Sequence, residues 1–191
     1  MAEKRRLTRA DWTDAALAAL ADGGIGAVAI EPLAGELGAT KGSAYWHFAN
    51  REALLTATLR RWRDTHTEAV IDRVEARDVG PAEKLRLLFA GVFVDHPGGT
   101  IELRLQAAAH DPIVSPILEA VNKRRIAYLA TLFRQLGCDR ASANRRALIG
   151  YSAFLGQAQL MSSTPGALPR GKPARRAYVD EMARVLTAGV G

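Results

Sequence analysis

The sequence predicts an all-α protein of about nine helices, because apolar residues recur at intervals of three and four along most of the chain. No stretch alternates cleanly between apolar and polar residues, and runs of β-branched residues are rare, so strands are not expected. Glycines, prolines and helix-capping residues divide the pattern into separate segments. An apolar fraction of 48% and a charged fraction of 24% are typical of a globular protein.

The first two helices are marked by their ends. Thr8 is the predicted N-cap of the first helix, because Asp11 occupies the capping-box position three residues later. Gly23 and Gly24 end this helix, since glycine adopts the left-handed C-cap conformation at little cost. A short second helix is predicted over about residues 30–37, where the proline falls in the first turn and is tolerated.

The next two helices follow a tight turn. Gly38-Ala39-Thr40 links the second helix to a third that Thr40 caps, and Asn50 caps a long fourth helix. Two short helices joined by a tight turn predict a helix-turn-helix, in which the second helix enters the major groove of DNA. At the start of the third helix we expect Thr40, Lys41, Gly42, Ser43 and Trp46 to face bases or phosphates.

The remaining helices are longer and more apolar. The sequence predicts them over about residues 80–95, 100–110, 112–136, 141–163 and 174–187. The segment 112–136 has apolar residues on two faces, which predicts a central position. A loop rich in proline and glycine, residues 164–173, precedes the last helix.

The whole chain has a net charge of +6. Within its N-terminal part, basic and acidic residues are segregated along the sequence. One basic group opens the chain, a second follows the helix turn, and acidic residues lie between them, an arrangement that suits phosphate contacts at two points. The opening group is expected to form an arm that reaches a groove or phosphates. The basic residues are Lys4, Arg5, Arg6 and Arg9 in the first group, and Lys41, Arg51, Arg60, Arg61 and Arg63 in the second.

Two runs of sequence resemble the DNA-binding domain of the TetR family of transcriptional regulators. They are LAGELGAT at residues 33–40 and YWHFANREALL at residues 45–55, and the first helix also fits. The resemblance covers about the first 55 residues. It implies a DNA-binding domain at residues 1–55 and a helical effector-binding and dimerisation domain at residues 56–191. It therefore implies an all-α, homodimeric regulator, expected to be a repressor released from a palindromic operator by a small molecule.

Carried over by position, the resemblance implies phosphate contacts for Tyr45, His47 and Arg51. Lys41, Gly42, Ser43 and Trp46 occupy its base-reading or base-adjacent positions. The chain departs from the family pattern twice: Glu31 replaces a basic or polar contact, and Ala29 replaces a capping Ser or Thr. Contacts from the second helix to DNA are therefore in doubt.

The C-terminal part supplies candidates for a ligand cavity and a dimer interface. The expected cavity residues combine apolar bulk with a few polar groups. The expected interface lies on the two last helices, because an uncharged apolar face of that size is unusual on a monomer. The cavity candidates are Trp62, His66, Phe89, Phe93, His96, Gln106, His110 and Tyr128. The interface candidates are Tyr151, Phe154, Leu155, Ala158, Tyr178 and Met182.

Other functions find little support in the sequence. The four histidines lack the spacing of a zinc site, and no nucleophile elbow, phosphate loop or dinucleotide fingerprint is present. We therefore expect no enzyme activity, metal or cofactor. One cysteine, no signal peptide and no apolar stretch long enough for a membrane span favour a cytoplasmic protein. Two alternatives stay open: a regulator of this fold without a small-molecule ligand, and a helical carrier or enzyme.

Overall fold

The computed structural model describes residues 6–95 and 100–190, and these residues form helices without any strand. The α-helices are α1 (Arg9–Gly23), α2 (Ile30–Glu36), α3 (Lys41–His47), α4 (Arg51–Arg63), α5 (Ala69–Glu75), α6 (Pro81–Ala90), α7 (Thr100–Ala107), α8 (Val114–Gln135), α9 (Arg140–Ser163) and α10 (Gly171–Thr187). None of the described helices is long and apolar enough to cross a membrane.

Two π-helical turns extend this set. The turn Asp64–Glu68 joins α4 to α5, so one continuous helix runs from Arg51 to Glu75, and the turn Gly91–Asp95 prolongs α6. Counting α4 and α5 together, the described residues form nine helices, which confirms the predicted all-α fold. The sequence pattern did not predict the π-helical turns.

The predicted N-caps are confirmed. The Thr8 hydroxyl accepts a hydrogen bond from the Asp11 backbone N–H at 3.2 Å, and the Asp11 carboxylate accepts one from the Thr8 backbone N–H at 2.7 Å. Thr40 accepts from Ser43 at 3.3 Å, and Asn50 accepts from Ala53 at 2.8 Å. These side chains satisfy backbone donors that the first turn of a helix leaves unpaired.

The hydrophobic core consists of two clusters. The first contains side chains of the four helices α1, α2, α3 and α4, of α7, and of the N-terminal half of α8. Its members include Trp12, Phe48, Trp62 and Leu105. The second joins α5, α6, α8, α9 and α10 around Phe89 and Phe133. The first cluster continues beyond residue 55, so the four N-terminal helices rest directly on the C-terminal ones. Because α8 contributes to both clusters, its predicted central position is confirmed.

Candidate nucleic-acid interface and ligand cavity

The helix-turn-helix is built by α2, α3 and the turn between them. Gly38 has a φ of 58°, a left-handed conformation that favours glycine, and the Ala39 N–H donates to the Ala34 carbonyl at 2.8 Å. Ala34 and Ala44 are buried, and their small side chains let the two helices approach closely. Phe48, 1% exposed, anchors the end of α3 in the first cluster. The inner side of α3 is thereby fixed in the core.

The outer side of α3 carries two large aromatic residues. Tyr45 is 54% exposed and Trp46 is 67% exposed, although side chains of this size usually bury most of their surface. Lys41 and Gly42 are also exposed, and Ser43 is half-buried beside its cap. The predicted base-reading and phosphate-contacting positions of α3 thus share one accessible surface.

The two departures from the family pattern have clear structural outcomes. Ala29 is the N-cap of α2 and provides no side-chain hydrogen bond. Glu31 forms an ion pair with Lys41, which links the start of α2 to the start of α3. The side chains of Lys41 and Glu31 remain 56% and 70% exposed. The carboxylate therefore lies beside the exposed surface of α3, and its charge is offset by that of Lys41.

The other predicted DNA contacts also have partners within the chain. His47 Nε2 lies 3.1 Å from the Leu7 carbonyl oxygen, and Arg51 donates to the Ile25 carbonyl. The Arg6 guanidinium lies over the Trp46 ring, 5.0 Å from its centroid. Arg6 therefore adds a cationic side chain to the exposed surface of α3. Lys4 and Arg5 lie outside the described residues.

A cavity of about 550 Å³ lies among α5, α6, α7, α8 and α9, a size typical of small-molecule sites. His66, Phe89 and Tyr128 line it, as the sequence predicted. Trp62, Gln106 and His110 do not, because Trp62 is buried in the first cluster while the other two lie outside the cavity wall. Phe93 faces a smaller space of about 90 Å³ beside Tyr178 instead. His96 lies outside the described residues.

Sequence reasoning missed the main charged groups of the cavity, Arg125 and Glu102. Their side chains are 13% and 8% exposed and form an ion pair at 3.3 Å. Arg125 also donates to the Thr67 hydroxyl at 2.9 Å and to the His66 carbonyl at 3.0 Å, both in the π-helical turn after α4. The two charges are 23 residues apart in sequence, so no local pattern reveals the pair.

The guanidinium of Arg125 is also held by aromatic rings. It lies over the ring of Trp62 from α4, 5.2 Å from the centroid, and over that of Phe154 from α9, 5.7 Å away. Cation–π contacts of this kind strengthen when they are desolvated. One residue of α8 thus contacts the end of α4, the turn after it and the cavity wall.

The hydroxyl groups of two cavity tyrosines donate hydrogen bonds to other side chains of the chain. Tyr128 donates to the Glu75 carboxylate at 2.7 Å, and Tyr151 donates to the Asn122 side-chain oxygen at 2.7 Å. Burial, followed by the hydrogen bond to Glu75, raises the pKa of Tyr128, and burial raises that of Tyr151. Hydrogen bonds from Lys84 and then Tyr128 lower the pKa of Glu75. Both tyrosines are therefore neutral donors at neutral pH.

The predicted interface residues are mostly directed inwards. Tyr151 and Ala158 are buried, Phe154 lines the cavity, and Leu155 and Met182 pack against the second cluster. Tyr178 is 36% exposed, with its ring centroid 5.9 Å from that of Phe93. The exposed large apolar side chains of α9 and α10 are instead Leu148, Ile149, Leu160, Tyr178 and Val185.

The N-terminal helices match a known family. Residues 13–58 match the sequence model of the family described as "Bacterial regulatory proteins, tetR family". No curated protein matches the chain in sequence.

Solved structures resemble the whole fold. A protein from Pseudomonas aeruginosa PAO1 described as a transcriptional regulator has a TM-score of 0.77 at 16% identity, over 96% of this chain and 94% of its own. A regulator from Saccharomonospora viridis, solved with choline, has a TM-score of 0.72 at 18% identity, over 94% and 93%. AibR, solved with isovaleryl coenzyme A and operator DNA, has a TM-score of 0.65 at 22% identity, over 93% and 96%.

Proposed function

We propose that this chain is a transcriptional regulator of the TetR family and, more specifically, a cytoplasmic, homodimeric repressor that a small molecule releases from a palindromic operator. The match of residues 13–58 to the TetR-family sequence model supports DNA binding, and solved structures described as transcriptional regulators share the whole fold. The repressor role, the dimer and the ligand go beyond these matches.

The proposal that α3 reads DNA rests on the exposed surface of this helix. Tyr45 and Trp46 are exposed while Ala44 and Phe48 hold the opposite side of α3 in the core. Lys41, at the first turn of the helix, stands where recognition helices contact base edges. We assign phosphate contacts to Tyr45, His47 and Arg51, and base contacts to Lys41, Ser43 and Trp46, with Thr40 and Gly42 allowing the backbone to approach.

The apolar face of α9 and α10 supports a dimer. Leu148 and Ile149 are 55% and 59% exposed, and Val185 is 56% exposed. Large apolar side chains that are exposed together mark an interaction surface, and we propose that these three residues contribute to one. A two-fold axis through this face would present two copies of α3 to successive turns of the major groove, about 34–36 Å apart.

The cavity and Arg125 support control by a ligand. A molecule in the cavity contacts Glu102, the partner of Arg125, and Arg125 holds the turn that ends α4. The opposite end of α4 packs in the helix-turn-helix core through Leu54 and Leu55. A ligand that changes the Arg125 contacts therefore changes the tilt of α4 and the spacing of the two α3 helices. AibR, which has this fold, was solved with a small molecule and operator DNA together.

Binding to sheared genomic DNA at several salt concentrations tests the DNA-reading surface. Lys41→Ala should lower the slope of log K against log salt by about 1 if it contacts a phosphate, or cost about 1–3 kcal/mol and relax sequence preference if it contacts a base. Tyr45→Ala should weaken binding as well. Arg134→Ala, an exposed arginine of α8 far from α3 in sequence, is the matched control. Unchanged binding by both α3 variants would refute the assignment.

A further inference from the structure

Building on the proposed function, we propose that the cavity binds an amphiphilic anion, a molecule with a hydrocarbon body and one terminal anionic group such as a carboxylate. The hydrocarbon body would occupy the interior, and the anionic group would lie at the mouth beside Arg73 and Arg77.

The interior of the cavity is suited to hydrocarbon. Aliphatic side chains of α5, α6 and α8 form much of its wall, together with the rings of Phe89 and Phe154. Apolar walls favour the transfer of apolar surface out of water and offer no hydrogen bonds. The aliphatic wall residues include Val70, Val74, Leu87, Leu88, Val92 and Leu129.

The polar groups deep in the cavity already have partners. Tyr128 donates to Glu75, Tyr151 donates to Asn122, and Arg125 is bound to both Glu102 and Thr67. A polar ligand group placed there would have to break one of these bonds and leave a buried group unsatisfied. The buried end of the ligand is therefore apolar.

The mouth carries positive charge without a counterion. Arg73 and Arg77 line the cavity and are exposed, and neither forms an ion pair with a carboxylate in the part of the chain that is described. Because Arg125 and Glu102 offset one another, these two arginines determine the sign of the charge that the cavity presents. Arginine binds carboxylates and phosphates through paired N–H groups, so an anion is favoured here and a cation is repelled.

Three probes that share an unbranched ten-carbon chain and differ in the group at its end separate the possible ligand classes: decanoate, decan-1-ol and decyltrimethylammonium. Isothermal titration calorimetry with the full chain, at concentrations below micelle formation, gives the affinity for each. We expect decanoate to bind about tenfold or more tightly than decan-1-ol, because charge-assisted hydrogen bonds are added, and decyltrimethylammonium to bind weakest. The double variant Arg73→Ala/Arg77→Ala should reduce decanoate affinity to that of the alcohol.

A matched control is Arg134→Ala/Arg140→Ala, which removes two exposed arginines outside the cavity wall and changes net charge equally. It should bind decanoate like the parent. Equal or tighter binding of the cation, no binding of any probe, or full decanoate affinity in the Arg73/Arg77 variant would overturn the proposal.

DNA binding by the same proteins keeps this inference separate from the proposed function. Without ligand, the Arg73/Arg77 variant should bind genomic DNA fragments like the parent, because both residues lie in the effector part of the chain. A parent protein that binds decanoate but is not released from DNA by it would contradict the repressor mechanism and leave the ligand class standing. A parent protein that binds DNA but prefers the cation would contradict the proposed ligand class and leave the DNA-binding function standing.

Discussion

Glu31 and Lys41 show how one carboxylate modifies a DNA-reading surface. Their ion pair joins α2 to the first residue of α3, and both side chains are mostly exposed. Exposed ion pairs contribute only about 0–1 kcal/mol, so DNA phosphates can compete for Lys41 at little expense. If α3 reads DNA as proposed, Glu31 would lie close to the phosphate backbone and repel it. The pair would then restrain DNA affinity while leaving Lys41 available.

Replacing Glu31 by Gln should raise DNA affinity several-fold and make the salt dependence steeper, because a repelling charge is removed and Lys41 is freed. Fluorescence anisotropy with labelled duplex DNA at several salt concentrations measures both quantities. Glu36→Gln, which neutralises another exposed carboxylate of α2, is the control and should change affinity less. If Glu31→Gln binds as the parent does, the carboxylate does not face DNA.

The sequence alone predicted that an acid at residue 31 is unfavourable, but it did not predict the partner. The two residues are ten positions apart, and their contact depends on the angle at which the turn at Gly38 sets α3 against α2. Helix ends were more predictable, because the caps at Thr8, Thr40 and Asn50 depend on residues only three positions away.

Among the helical elements, the continuous helix from Arg51 to Glu75 connects the helix-turn-helix to the cavity. Its first part packs in the DNA-binding core, its π-helical turn is held by Arg125, and its last part lines the cavity. π-Helical turns occur frequently at functional sites, since they shift the register of a helix locally. The Arg125–Glu102 pair thus lies where the cavity meets the helix that leads to the helix-turn-helix.

Removing one member of this buried pair should destabilise the protein strongly. Arg125→Met leaves the Glu102 carboxylate uncompensated and should lower the free energy of unfolding by about 3 kcal/mol, whereas the double variant Arg125→Met/Glu102→Gln should recover part of the loss. Urea unfolding of the parent, both single variants and the double variant gives the coupling energy. Strictly additive effects would show that the two side chains do not interact.

Sequence patterns did not distinguish the inner and outer sides of α9. This helix has apolar residues around much of its circumference: Tyr151 and Phe154 on one side, Leu148 and Ile149 on another. A helix that packs within its own chain on one side and offers an apolar face on the other has no single apolar stripe, so periodicity cannot distinguish the two faces. The cavity was predicted only in part: His66, Phe89 and Tyr128 line it, but Arg125 and Glu102 were missed because their pairing depends on helix packing and not on a local pattern.

For the whole molecule, assembly is the property on which operator recognition depends. Ile149→Glu should split the dimer, because it places an unpaired carboxylate within the exposed apolar face of α9 and α10. Val79→Glu is the matched control, since Val79 is 40% exposed but lies in the turn before α6. Analytical ultracentrifugation at micromolar concentration should give a monomer for Ile149→Glu and a dimer for Val79→Glu. A dimeric Ile149→Glu protein, or a monomeric parent, would rule out this interface.

Phe154→Glu provides a useful contrast at the same scale. Because the Phe154 ring lines the cavity and lies near the Arg125 guanidinium, a carboxylate there changes the interior of one protomer. If this variant dissociates into monomers and the protomer stays as stable as the parent, the dimer interface includes the side of α9 that carries Phe154.

In the proposed function, two copies of this chain together read a palindromic operator through α3. Selection of bound sequences from a random duplex DNA library, performed with the parent and with Lys41→Ala, shows whether they do. We predict that the parent enriches an inverted repeat whose half-sites are centred about one helical turn apart, as two recognition helices require. Lys41→Ala should lose or relax the preference at defined positions of each half-site. Enrichment of a single unrepeated site, of the same sequence by both proteins, or of no sequence at all would contradict the account.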